Sequence, residues 1–149
     1  MNLMIRKATR EDIPTILELY RVFDSDDDPV MSLAAAEEIF ARIRTYPNYM
    51  IYLAERDGEI IGTFALLIMD NIAHHGAGEG IVENVIVRPQ FQSQGIGKEI
   101  MEYAMQLCAE AGCYKLVLSS NIVRERAHQF YENLGFEKYG YAFRVELKK

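Results

Sequence analysis

Apolar positions change their period several times along the chain, and each change marks an element. Residues 2–7 read as a short opening strand. Ile13, Ile16, Leu17 and Tyr20 then recur at helical spacing. Thr9 stands where an N-cap would, with Asp12 three residues on, a weak form of the capping box. Pro14 is tolerated because a first-turn N–H is unpaired anyway. Asp24-Ser25-Asp26-Asp27-Asp28-Pro29 reads as a loop. Ser32 can cap a second helix with Ala36, Ile39, Phe40 and Ile43 on one face, and Pro47 ends it.

Two strands follow, Tyr49 to Glu55 and Glu59 to Met69, joined through Arg56-Asp57-Gly58, a hairpin signal. His74-His75-Gly76-Ala77-Gly78 is a loop. Gly80 to Val87 contains the β-branched run IVENVIV and predicts a strand that Arg88-Pro89 stops. Ile96, Ile100, Ala104, Leu107, Cys108 and Ala111 share one face of a helix with Gly112 as its C-cap. Lys115 to Ser119 predicts a strand. Arg124 to Leu134 predicts a helix bearing Ala127, Phe130, Tyr131 and Leu134, capped by Gly135. Tyr139, Tyr141, Phe143, Val145 and Leu147 alternate as a half-buried closing strand would. The order β-α-α-β-β-β-α-β-α-β predicts an α/β fold with a mixed sheet and helices on both faces. No repeat or linker interrupts it, so residues 1–149 read as one domain.

Composition narrows the function. Half of the 149 residues are hydrophobic and 26% are charged, as in an ordinary globular protein. The formal net charge of −6 argues against a nucleic-acid partner and is compatible with a cationic small substrate. No apolar run approaches the roughly 20 residues of a membrane span. The start, MNLMIRKATRED, turns charged at once, unlike a secretory signal, so the cytoplasm is the expected location. Cys108 and Cys113 do not form a CxxC pair, and no metal site is expected. Cys108 falls on the apolar helix face as a buried free thiol.

The candidate chemistry lies where strand, loop and helix meet. Val85-Ile86-Val87 leads into Gln92-Ser93-Gln94-Gly95-Ile96-Gly97-Lys98 and then the amphipathic helix. A helix N-terminus offers unpaired N–H groups and partial positive charge to a phosphate. Two glycines let the backbone come close to the anion. The loop is neither a Rossmann fingerprint, since Ile100 stands where the third glycine belongs, nor a Walker loop, since Glu99 follows Gly97-Lys98. On spacing alone, a tight turn without a ligand stays open.

Gln92 to Gly97 resembles the acetyl-CoA signature Q/R-x-x-G-x-G/A of the GNAT acetyltransferase superfamily. Val85-Ile86-Val87-Arg88-Pro89 is similar to the family's preceding strand and its exit. Ala127-His128-Gln129-Phe130-Tyr131-Glu132-Asn133-Leu134-Gly135-Phe136 is similar to its A-x-x-F/L-Y-x-x-x-G-F segment. The resemblance covers nearly the whole chain and implies a GNAT fold with about six to seven strands. It implies acetyl-CoA as co-substrate, its pyrophosphate on the N–H groups of Gln94 to Lys98. The pantetheine arm would pair with backbone around Val85 and Val87. Ala127 and Phe130 would line the donor site.

The same resemblance puts Tyr131 in the general-acid position, whereas periodicity alone allows a core tyrosine. Glu83 is the carboxylate within the run from Ile81 to Val87. Burial would push its pKa up towards that of a base, and strand parity puts it on the face of Val85 and Val87. Glu79 is the reserve candidate. Two departures stand out. Arg124 occupies a place where many members carry an Asn that contacts the cofactor, and Asn121, three residues earlier, would compensate in binding it. Gln94 replaces a usual arginine, so Lys98 would supply the phosphate-facing charge.

Similarity to small-molecule members includes aminoalkylphosphonate and aminoglycoside enzymes, and implies a primary-amine acceptor attacked directly in a ternary complex. The family's acceptor region here holds Asp26 and Asp27 among Asp24 to Asp28, an acidic rim or a plain solvated loop. His75, beside His74, would face an acceptor or simply be exposed. A peptide N-acetyltransferase and a non-catalytic acyl-CoA sensor are the alternatives. A homodimer is compatible with each.

Overall fold

Five strands, β1 (Met4–Lys7), β2 (Tyr49–Arg56), β3 (Glu59–Met69), β4 (Gly78–Val87) and β5 (Cys113–Val117), form one sheet in that order in a computed structural model. The first three pairings are antiparallel and β4–β5 is parallel. Residues 2–147 are described. They fall into two compact units, one up to Val117 and one from Leu118.

In the first unit, helices α1 (Ile13–Tyr20) and α2 (Leu33–Ile43) bury the stripes that their spacing predicts. Ile13, Ile16, Ala36 and Phe40 pack with Ile51, Leu53 and Ala65 of the sheet. Each isoleucine, leucine or phenylalanine among them contributes about 1.5–3 kcal/mol on full burial. The Asp12 carboxylate accepts the Thr9 N–H at 2.8 Å, as the capping box requires, and a short 3-10 turn, Arg10–Asp12, precedes α1. Arg6 donates to Asp12 at 2.8 and 2.9 Å and holds its carboxyl down at about 2. Ser32 caps α2 by accepting the Ala35 N–H at 3.1 Å.

Helix α3 (Ile96–Glu110) buries Ile96, Ile100, Met101, Ala104 and Cys108. It lies close to the sheet. A Cβ at Gly80 would run into the Cys108 sulfur, and one at Gly62 would come within 2.9 Å of the Ile86 carbonyl oxygen. Gly112, at φ 77°, follows the helix in the left-handed conformation that its C-terminus favours.

Three expectations need correction. Five strands form among the described residues, not six or seven. No β-ladder forms over residues 139–147, and Tyr141, Phe143, Val145 and Leu147 are exposed. Alternation specifies two faces but cannot supply the neighbour a ladder needs. The strand predicted at Lys115 to Ser119 starts and ends two residues earlier, because Gly78 of β4 pairs with Cys113.

The second unit holds α4 (Glu125–Asn133). The Val123 N–H donates to the Asn121 side-chain oxygen at 3.1 Å, folding the entry turn. Gly135, at φ 100°, ends the helix. Its N–H reaches Glu132 O at 3.0 Å and the Phe136 N–H reaches Tyr131 O at 3.1 Å, a Schellman arrangement.

Candidate functional site

The N-terminus of α3 is prepared for an anion by what it lacks and by what holds it. Gly95 at the N-cap is left-handed, φ 82°, and no side chain caps the helix. The first N–H groups of a helix have no intrahelical acceptor, so those of the first turn of α3 are open to a ligand. Ser93 is also left-handed, φ 63°. Turns of this kind gather backbone N–H groups into an anion-binding concavity. A Cβ on Gly95 would meet nothing within 4 Å, so the glycine serves the backbone conformation and an open approach.

Side chains fix the loop from both sides. The Gln92 amide donates to Val87 O at 3.0 Å and ties the loop to the end of β4. The Gln94 amide donates to Gln90 O at 3.2 Å, and its oxygen accepts from Arg56 Nη1 at 3.4 Å. Lys98 is exposed and pairs loosely with Glu102 at 3.7 Å.

Strand β4 delivers this loop and parts from its neighbour on the way. The parallel ladder with β5 ends at Ile81↔Val117, while β4 runs on to Val87. Val85, Ile86 and Val87 therefore lie on the reach of β4 beyond the β5 ladder. Exposed backbone groups on such a reach must find other partners.

The same reach carries a bulge. Glu83 pairs with Ala65 and Ile86 with Thr63, so Phe64 faces both Asn84 and Val85. Asn84 absorbs the extra residue at φ 54°. This overturns the parity expected for Glu83. Glu83 and Ile86 oppose residues two apart on β3 and share a face with Ala65, the face of α1 and α2. Val87 pairs with Gly62 on the other face, that of α3. Glu83 is also exposed, not buried as expected. Glu79 is engaged by Lys115 at 3.1 Å near the start of β4.

In the second unit, α4 brings Ala127, Phe130 and Tyr131 onto successive turns. The Tyr131 ring meets Phe130 edge-on at 5.2 Å and Phe136 at 5.8 Å. Burial pushes the Tyr131 phenol above its ordinary pKa, opposed by the nearby charge of Arg124. A phenol in that state carries its proton at neutral pH and can donate it. The Asn121 side-chain oxygen is occupied within its own turn by the Val123 N–H.

Comparison with known proteins gives the family. Residues 13–136 match the model of the acetyltransferase (GNAT) family. The chain belongs to this family. An aminoalkylphosphonate N-acetyltransferase of Salmonella typhimurium is 30% identical, over 97% of this chain and 100% of its own length. A glucosamine 6-phosphate N-acetyltransferase of Trypanosoma brucei brucei is 26% identical, over 99% and 97%. A solved Trypanosoma brucei acetyltransferase superposes with a TM-score of 0.83 at 27% identity, covering 98% of this chain and all of that one.

The remaining expected residues of this GNAT acetyltransferase lie elsewhere. Asp26 and Asp27 sit exposed between α1 and α2, where Asp28 accepts the Ser25 N–H at 2.8 Å. Val22, Phe23, Val30 and Met31 are exposed around them. His75 precedes β4, with His74 stacked on Tyr114 at 4.3 Å. The loop from Gln92 to Lys98 follows the far end of that 10-residue strand. At about 3.3 Å per residue the two are roughly 30 Å apart, so β4 does not bring His75 to the loop. Among the described residues no three His, Cys, Asp or Glu side chains gather as a metal cluster. A recess of about 280 Å³, lined by Lys7, Tyr46, Met50 and Ile68 among others, lies at the His75 end of the sheet, away from the loop. Sequence reasoning missed Arg56, because 38 residues separate it from Gln94 and no motif links them.

Proposed function

We propose that this GNAT enzyme transfers acetyl from acetyl-CoA to a primary amine of a small molecule, by direct attack in a ternary complex. The observation that carries the proposal is the uncapped N-terminus of α3, which follows the end of β4 that runs beyond the β5 ladder. The residues present fit a pyrophosphate, since Gly95 is left-handed and a side chain there would have open space.

Gln94 to Lys98 supply the N–H groups for the pyrophosphate. Backbone of Val85 to Val87 pairs with the pantetheine arm, and an N–H freed there donates to the thioester carbonyl as negative charge develops. Acetyl-CoA supplies the activated acetyl group. Tyr131 gives its proton to the departing thiolate, and its raised pKa keeps that proton in place at neutral pH. Glu83, exposed on the α1–α2 side of β4, accepts the ammonium proton directly or through water. By the family resemblance, Asn121, Arg124, Ala127 and Phe130 belong to the cofactor-binding set. Asp26 and Asp27 draw the cationic acceptor in. The small-molecule acceptor is favoured by relatives whose names specify aminoalkylphosphonate and glucosamine 6-phosphate.

Release of free CoA across a panel of amines tests the proposal, together with the thermal shift on adding acetyl-CoA. The expected result is a rise in melting temperature with acetyl-CoA and release with at least one amine. No shift and no release with any amine would overturn it.

A further inference from the structure

The loop from Gln92 to Lys98 holds one cation, Lys98. Gln94 stands inside it where the resemblance leads one to expect an arginine, and Lys98 is turned towards Glu102. A different strand brings a second. Arg56 ends β2, and its Nη1 donates to the Gln94 side-chain oxygen at 3.4 Å. The Gln94 amide passes the constraint on to Gln90 O at 3.2 Å. The guanidinium thus sits against the loop although it is remote in sequence.

A second observation shows that the guanidinium is not fully used. Arg56 Nε is buried and meets no acceptor among the described residues. A buried donor left unmade costs about 1–3 kcal/mol, more on a charged group. A planar guanidinium with a spare donor at an anion-binding turn is suited to phosphate oxygens.

We infer that Arg56 is a pyrophosphate-binding residue of the donor site, supplying in space the charge that Gln94 does not supply in sequence. The inference rests on the acetyl-CoA reading above. An Nη–H serves a pyrophosphate oxygen, while the contact to Gln94 keeps the guanidinium at the loop. Ile60 and Ile61, which follow Arg56 on the hairpin, hold Arg88 through 2.7 and 2.8 Å bonds to their carbonyl oxygens, so the hairpin is tied to the exit of β4.

The test is equilibrium binding, read by calorimetry on the full chain, with acetyl-CoA, acetyl-dephospho-CoA and S-acetyl-pantetheine as probes. Arg56→Ala is expected to raise the Kd of acetyl-CoA about tenfold, and Arg56→Lys, which keeps the charge but not the fork, about threefold. The loss on acetyl-dephospho-CoA should be the same, because the pyrophosphate is retained. S-acetyl-pantetheine should bind both variants as it binds the wild type. The difference between wild type and Arg56→Ala should shrink as salt is raised. Unchanged acetyl-CoA affinity in Arg56→Ala would overturn the assignment, as would equal weakening of S-acetyl-pantetheine. An effect that vanished on acetyl-dephospho-CoA would also overturn it, by moving the arginine to the 3′-phosphate. Arg56→Gln serves if the alanine variant unfolds, and the same outcomes decide. Failure of the wild type itself to bind acetyl-CoA would instead strike the proposed function.

Discussion

The loop from Gln92 to Lys98 and the connection from Asp24 to Met31 both join elements of the same unit, yet they are built on opposite plans. The first is short of charge but rich in constraint. Gln92 is tied to Val87, Gln94 to Gln90 and Arg56, and Gly95 opens the helix. The second is rich in charge and apolar side chains but poor in constraint, with Asp28 closing a turn on Ser25 and Phe23, Val30 and Met31 exposed. A site that recognises one invariant group through backbone can be fixed in advance. A surface that reads a variable partner through side chains is exposed and tolerates change. Under the proposed function, donor recognition lies in the frame of the fold and acceptor choice in its connections.

Separating binding from chemistry gives the largest effect. Tyr131→Phe should cut kcat by about 10²–10⁴-fold while leaving the acetyl-CoA Kd unchanged. Because burial raises the phenol above its ordinary range, kcat in the wild type should not fall for want of the acid as pH rises from neutral into the mildly alkaline range. A pH profile of both proteins checks this. An equal loss of affinity would place Tyr131 in the frame rather than the chemistry.

The scaffold beneath the acceptor side gives the next effect. Asp12 is held at about 2 by Arg6 and fixes the entry to α1. Its folded pKa is depressed, so its contribution is complete above the unfolded value near 4 and is lost as pH falls towards 2. Asp12→Asn should cost about 1–2 kcal/mol at pH 7 and much less at pH 2, as denaturant unfolding at the two values would show.

Within the loop from Gln92 to Lys98, Gly95→Ala should destabilise the fold by about 1–2 kcal/mol, since a non-glycine residue must hold the left-handed conformation with or without ligand. Nothing crowds the position, so denaturant unfolding would isolate the conformational cost. The smallest effect belongs to the acidic connection. The double variant Asp26→Asn, Asp27→Asn should raise the KM of a cationic acceptor only about threefold and leave acetyl-CoA affinity alone. A large change in donor affinity there would break the division between the two regions.

Much of the donor half was legible in the sequence because it is local. The stripe from Ile96 to Cys108, its glycine stop and the glycine loop sit within one stretch, and α3 formed over Ile96–Glu110. Ser32 and Gly135 cap their helices for the same reason. What escaped depends on neighbours. IVENVIV reads as unbroken alternation, and the extra residue at Asn84 appears only when β3 is laid beside it. That bulge moved Glu83 to the face of α1 and α2. Tyr139 to Leu147 alternate equally well, yet alternation names no partner strand. Arg56 reaches Gln94 across the sheet, where no spacing rule applies.

The central claim is that acetyl-CoA is held by the backbone at the start of α3. Titrating the isotopically labelled protein with acetyl-CoA, and following backbone amide resonances by NMR, tests it most directly. The account predicts that the N–H groups of Gln94 to Lys98 shift most, with those of Val85 to Val87 next. Saturable binding that left these amides unmoved and shifted those around His75 or Asp26 would contradict it.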